Sequence, residues 1–242
     1  LVGSEMCIRD RYKKDIIVNH RNSKYAEILL DPTTISKEKQ NSNEIYERLY
    51  IDFNDQKYVQ VIDECNKYIL DFNGEPIIPK LEFLKALAVA RVYGFKEYER
   101  ALTFIKLNYS TTVEGKEAEL ILDEVLPSVR NDNFKNNNMS DNYKIIYQFA
   151  VGSDNEILSQ INDLKQYLDN VDYLDLSVSE DFYNNITTFV VVHGLKSYDG
   201  SLGLAERLEK TIDIQADSFF VASSDNYKTI QIHKNLDKFE KK

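Results

Sequence analysis

Hydrophobic residues in the first half of the chain recur at helical spacing. In "KYVQVIDECNKYI" Tyr58, Val61, Ile62, Cys65 and Ile69 form one stripe, and a stripe of that period must lie on one face of an amphipathic helix. About 40 residues on, "EYERALTFIKLNY" places Tyr98, Ala101, Leu102, Ile105 and Tyr109 at the same offsets. A further helix is predicted ahead of each. "NEIYERLYIDF" offers Ile45, Leu49 and Phe53, and "LEFLKALAVARVY" offers a broad apolar face with Ala86, Ala88 and Ala90. Asn54-Asp55 and Gly94 break the pairs, while Asp31-Pro32, Pro76, Pro79 and Pro127 punctuate the units. "SKYAEILLD" (23–31) and "GKEAELILD" (115–123) share Lys, Ala, Glu, Leu and Asp in register, so they are expected to be closing helices of two related units.

Beyond the polar, aperiodic stretch 131–141, which reads as a linker, the period changes to two. "YKIIYQFAV" puts Tyr143, Ile145, Tyr147, Phe149 and Val151 on one face of a strand. Ser153 with Glu156 suggests a capping box opening a helix whose inner face is Ile157, Ile161, Leu164 and Leu168. "LDLSVS" alternates through Leu174, Leu176 and Val178, with Asp172 and Asp175 marking an edge strand. "ITTFVVVH" is apolar enough for a central strand. A helix through Leu202, Ala205, Leu208 and Ile212 follows, then the strand "SFFVAS" and a last helical stretch from a Ser224 cap through Tyr227, Ile230, Leu236 and Phe239. The expected fold class is α+β. Helical hairpins over 12–130 precede a 142–242 domain of order β-α-β-β-α-β with a C-terminal helix. That order is the ferredoxin-like split βαβ arrangement, in which strands 1 and 3 are central. The large-Tyr, small-Ala pattern of "YERAL" resembles helix B of a tetratricopeptide repeat, although the spacing exceeds the usual 34 residues.

Charge and composition narrow the function. A net charge of −10 disfavours nucleic acid or an anionic lipid surface as the main partner. An RNA-recognition reading of the sheet also lacks the paired aromatics of strands 1 and 3, strand 3 having Phe189 alone. Of the two cysteines, Cys7 falls in "LVGSEMCIRDR" (1–11), which looks like a translated sequencing adapter and is set apart from the fold. On that view the chain is a C-terminal fragment. Cys65 then has no disulfide partner. His20, His193 and His233 lie in different elements without a second ligand at i+3 or i+4, so no metal site is expected. Gly200 to Gly203 lacks the residues of a phosphate loop, Glu180-Asp181 reads as solvated loop charge, and no Ser-centred nucleophile elbow occurs. No catalytic residue and no cofactor is predicted. For a partner surface the first helix of the second unit is the candidate, with Leu84, Ala88 and Arg91 on a concave side.

"NSKYAEILLDP", the run "PKLEFLKALAVARVYGFKEYERALTFIKLNYSTTVEGKEAELIL" and the ending "SFFVASSDNYKTIQIHKNLDKFEKK" together resemble the C-terminal part of the SprE/PorW family. These are tetratricopeptide-repeat lipoproteins of Bacteroidota associated with gliding motility and type IX protein secretion. The resemblance covers residues 22–242, departing at "KFEKK", where the family has a longer aromatic finish. It implies a non-enzymatic envelope adaptor on the periplasmic side of the outer membrane. The lipid anchor would lie on a missing N-terminal part, and the partners would be protein components of the secretion and motility machinery. The alternative is a general periplasmic scaffold or a peptidoglycan-binding protein using the 142–242 domain.

Overall fold

The computed structural model describes residues 12–21, 23–31, 33–136, 140–170 and 175–240. The adapter-like segment, residues 137–139 of the expected linker, and Asp172 and Leu174 lie outside the described residues. The architecture is mixed α+β. After a helical stretch over 12–19 come α1 (Lys24–Leu30), α2 (Thr33–Asn54), α3 (Tyr58–Asp71), α4 (Ile78–Tyr93), α5 (Phe95–Asn108) and α6 (Val113–Leu120). A π-helical turn, Ile121–Val125, joins α6 to the short α7 (Leu126–Val129). Pro127 enters within the first turn of α7, where its missing N–H costs least.

Each helix buries the stripe its period sets. Tyr58, Val61, Ile62 and Cys65 of α3 pack with Leu49 of α2 and with Leu81, Leu84, Ala88 and Val92 of α4. On its other side α4 presents Ala86 to Leu102 and Ile105 of α5 and Ala118 of α6. Helix α4 is therefore buried on two sides, and its alanines are what let the neighbours approach. The matched segments 23–31 and 115–123 are both helical over their first part, and Ala26 and Ala118 are both fully buried. They diverge afterwards, because the π turn begins at Ile121.

The second part has the order β1 (Tyr143–Ala150), α8 (Asp154–Leu168), β2 (Ser177–Phe182), β3 (Thr187–Leu195), α9 (Tyr198–Thr211), β4 (Ser218–Ser223). Helices α10 (Ser224–His233) and α11 (Leu236–Glu240) close it. The strands form one antiparallel sheet in the order β2-β3-β1-β4, with β3 and β1 in the middle. Tyr143, Ile145, Tyr147 and Phe149 pack on one face against Ile157, Ile161, Leu164 and Leu168 of α8 and Leu204, Ala205 and Leu208 of α9. The opposite face, with Ile146, Phe189, Val191 and Ala222, lies under Tyr227, Ile230 and Leu236. Both faces of this sheet are covered by the chain itself.

Several expectations need correction. Ser153 precedes α8 but makes no side-chain capping bond, so the capping box does not form. The cap of α10 is Ser223, whose hydroxyl accepts from the Asn226 amide, one residue before the expected Ser224. Glu180 and Asp181 lie in edge strand β2 rather than a loop, and that strand starts at Ser177, later than its apolar alternation suggested. The last helical stretch is two helices, broken where Lys234 adopts a left-handed conformation (φ 52°). Residues 131–136 are irregular, as read, yet they are pinned. The Lys135 amide donates to Asn226 Oδ1 (2.8 Å), Asn226 Nδ2 donates to the Lys135 carbonyl (3.0 Å), and Phe134 packs edge-on against Phe239 (centroids 5.1 Å).

Candidate functional site

The helical and sheet-containing parts meet, and between them lies an open cavity of about 570 Å³. Three close contacts hold its rim. The Phe182 amide at the end of β2 donates to Gln56 Oε1 (3.1 Å), and the Phe182 ring meets Tyr58 edge-on (5.1 Å). On the far side His233 Nε2 donates to the Val129 carbonyl (2.9 Å), while its ring lies 5.2 Å from Phe95. The third contact is at Gly94, between α4 and α5, with φ 81°. A Cβ there would sit 2.8 Å from the Ile232 carbonyl and 2.8 Å from Lys234 Cγ, so only glycine admits the end of α10 this closely.

The cavity walls are apolar, including Leu87, Ala90, Ile121, Val125, Leu126 and Val129. Besides Gln56 and the tyrosines Tyr58 and Tyr98, its lining includes the polar side chains Arg91 from α4, Asp181 from β2, Gln231 from α10 and Lys234 from the turn after α10. Arg91 is exposed, and neither it nor Lys234 forms an ion pair among the described residues. Lys234 donates to Gln231 Oε1 (3.1 Å) and stands over the Tyr183 ring, 4.9 Å from its centroid. Burial pushes the Lys234 ammonium down to about 7, and the Arg91 charge adds to the effect. A lysine that is half-buried, left-handed and without a counter-charge costs stability three times over, which marks the position as a candidate site.

Asp181 is held differently. Tyr227 donates to its Oδ2 (2.6 Å) and the Ser179 hydroxyl to its Oδ1 (2.8 Å). Ser179 Oγ is also 2.7 Å from His193 Nε2, and His193 Nδ1 is 2.7 Å from Lys144 Nζ. An ammonium can only donate, so Lys144 fixes the acceptor at Nδ1 and the proton at Nε2. Every donor along Lys144, His193 and Ser179 therefore points toward Asp181. Ser179 beside His193 superficially suggests a nucleophile and base, but the imidazole donates to the hydroxyl instead of accepting from it. A general base needs the reverse. Burial, with the Lys144 charge second, holds His193 below the usual histidine range. Burial likewise lowers Lys144. The network ties the sheet edge to α10 through Tyr227, to which Gln231 Nε2 donates (3.0 Å).

Of the expected partner residues, Leu84 and Ala88 are 1% and 0% exposed and belong to the core between α3 and α4. They offer no surface, which corrects their assignment to a concave side. Arg91 alone of the three faces solvent, and it lines the cavity. Lys234, Gln231 and Asp181 were missed because they reach the same space only through the docking of α10 on the α4–α5 turn. Cys65 is fully buried, and burial raises its thiol to about 12, far from a reactive thiolate. Among the described residues no cluster of His, Cys, Asp and Glu could hold a metal ion, and no helix is long and apolar enough to cross a membrane. The sequence matches no protein-family model and no curated protein.

Proposed function

We propose that this chain is a non-enzymatic protein-interaction adaptor of the bacterial envelope, acting in type IX secretion and gliding motility as its resemblance to the SprE/PorW family implies. In this reading the helix pairs α2–α3 and α4–α5 are tetratricopeptide-like hairpins, and the strand order β4-β1-β3-β2 supports a ferredoxin-like arrangement for the second part. The protein would face the periplasm, tethered by a lipid on a segment upstream of this one.

The observation that carries the adaptor reading over a glycan-binding one is the burial of both sheet faces. A polar sheet face is the surface on which a sugar chain or a nucleic acid would be laid, and α10 and α11 occupy the one left by α8 and α9. What remains exposed is the outer side of the helices, where Phe104, Leu107 and Val113 are 47%, 74% and 78% accessible. Exposed apolar residues on stacked helices suit a protein partner. Deletion of the gene in its host tests the proposal. Loss of surface spreading and of protein secretion, restored by the intact gene, is the expected result. Retention of both, together with saturable sedimentation of the protein on purified peptidoglycan, would replace the adaptor by the glycan-binding alternative.

A further inference from the structure

We propose that the junction cavity binds an anionic amphiphile, a monocarboxylate with an apolar body, whose head is held by Arg91 and Lys234 and whose body lies on the wall from Leu87 to Val129. This goes beyond the adaptor reading and does not depend on it. The volume of about 570 Å³ falls within the range of roughly 300–1,000 Å³ typical of small-molecule sites. Such sites are commonly found where two parts of a chain meet, with apolar walls and a few convergent polar groups.

The chemistry of the head follows from charge. Arg91 and Lys234 are two cations at one cavity without a carboxylate paired to either among the described residues. In a chain of net charge −10 this cavity brings two cationic side chains to one place, against the single carboxylate Asp181. The nearby carboxylate, Asp181, accepts from Tyr227 and Ser179 and keeps its negative charge, but is ion-paired with neither cation. It does set a limit on the ligand. A fixed negative charge on the same wall penalises a dianion such as a phosphate monoester more than a single carboxylate. The planar guanidinium of Arg91 can take both carboxylate oxygens as a fork, while Lys234, its proton affinity lowered by burial to about 7, contributes a point charge where it is protonated. Gln231 accepts from the Lys234 ammonium (3.1 Å) and holds it at the cavity.

The body of the ligand follows from the walls. Leu87 and Ala90 come from α4, Ile121 and Val125 from the π turn, and Leu126 and Val129 from α7. A polar anion would leave this surface wet, whereas an acyl chain would cover it and add apolar burial to the head-group contacts. Because the wall belongs to the helical part and Lys234 to the other, a bound ligand would clamp the two together.

Calorimetric titration of the whole chain with decanoate, decan-1-ol and decyltrimethylammonium, each below its micellar concentration, tests the inference. Decanoate should bind saturably at one site, decanol at least about tenfold more weakly, and the cation not at all. Arg91→Gln should weaken decanoate about tenfold and leave decanol unchanged; Arg91 is exposed, so this variant should melt like the parent. Ala90→Phe, which fills the cavity, should abolish both. Should Ala90→Phe fail to fold, Lys234→Gln serves in its place, with the same selective loss of decanoate. Equal affinity for decanoate and decanol, decanoate binding insensitive to Arg91→Gln, or absence of decanoate binding would each overturn the proposal. None of these results bears on gliding or secretion, so the two readings fail separately.

Discussion

On the face of the sheet covered by α8 and α9, β1 alternation delivers Tyr143, Ile145, Tyr147 and Phe149 into a layer of leucine and isoleucine. The opposite face is mixed. There Phe189 stacks on Tyr183 (4.5 Å, 18°) and packs under Tyr227 and Ile230, while the Lys144, His193, Ser179 and Asp181 network runs beside it, Asp181 lying directly across from Phe189 in the register. Both faces are covered, the second only in part along the network, and by different physics. The first depends on area removed from water and tolerates any well-packed apolar set of the right volume. The second depends on each donor finding its one acceptor, so it fixes the position of α10 and with it the placement of Lys234 at the cavity. The face that packs best is remote from the candidate site, and the face that is more costly to bury leads to it.

The largest effect should come from the apolar face. Leu164 is fully buried in α8, and Leu164→Ala should lose about 2–5 kcal/mol of stability in urea unfolding, through lost transfer energy and the cavity left behind. Asp181→Ala should cost about 1–3 kcal/mol, because it strands the Ser179 and Tyr227 hydroxyls in a part-buried setting. If it proves costlier than Leu164→Ala, the polar network outweighs apolar burial and the comparison is reversed. A double-mutant cycle with Tyr227→Phe sharpens this: a coupling energy near zero would mean that the 2.6 Å contact contributes nothing. Asn226→Ala should lose about 1–2 kcal/mol and speed amide exchange at Lys135, whose N–H it accepts. Unchanged exchange there would mean that residues 131–136 are not held by α10.

The remaining effect has the opposite sign. Lys234 has its proton affinity depressed to about 7 in the folded chain, against about 10.4 for a free lysine. Between these values the unfolded chain holds a proton the folded chain lacks, so this group makes stability rise with pH across the window, by at most ~1.4 kcal/mol per pH unit. Below pH 7 both states are protonated and the buried cation exerts its full cost. Lys234→Met should therefore raise the melting temperature most below pH 7, with the gain shrinking toward pH 10. A gain independent of pH would show that packing, not charge, was relieved. The same substitution should weaken decanoate binding, a trade of function for stability expected at a functional site.

Periodicity by itself determined the elements and their inner faces. The 3.6-residue stripes of α3 and α5 and the two-residue alternation of β1 mark most of the side chains that are now buried. Ile69, Tyr98, Ala101 and Tyr109 are only partly covered, and Val151 lies exposed beyond β1. A continuous apolar run likewise put β3 in the middle of the sheet. These follow from local geometry, because a side chain's face depends only on its neighbours along the chain. What no local pattern could encode is the docking of α10. The polar positions Lys144, Ser179, Asp181, His193 and Gln231 read singly as ordinary surface residues, and the bonds among them span from 2 to 49 positions in sequence. Leu84 and Ala88 were legible as an apolar face, but whether that face met a partner or its own α3 depended on how the helices pack. Arg91 and Lys234, on different elements, share one cavity only because Gly94 lets two backbones touch. Burial of a stripe is a property of the segment, and the meeting of two lone cations is a property of the assembled chain.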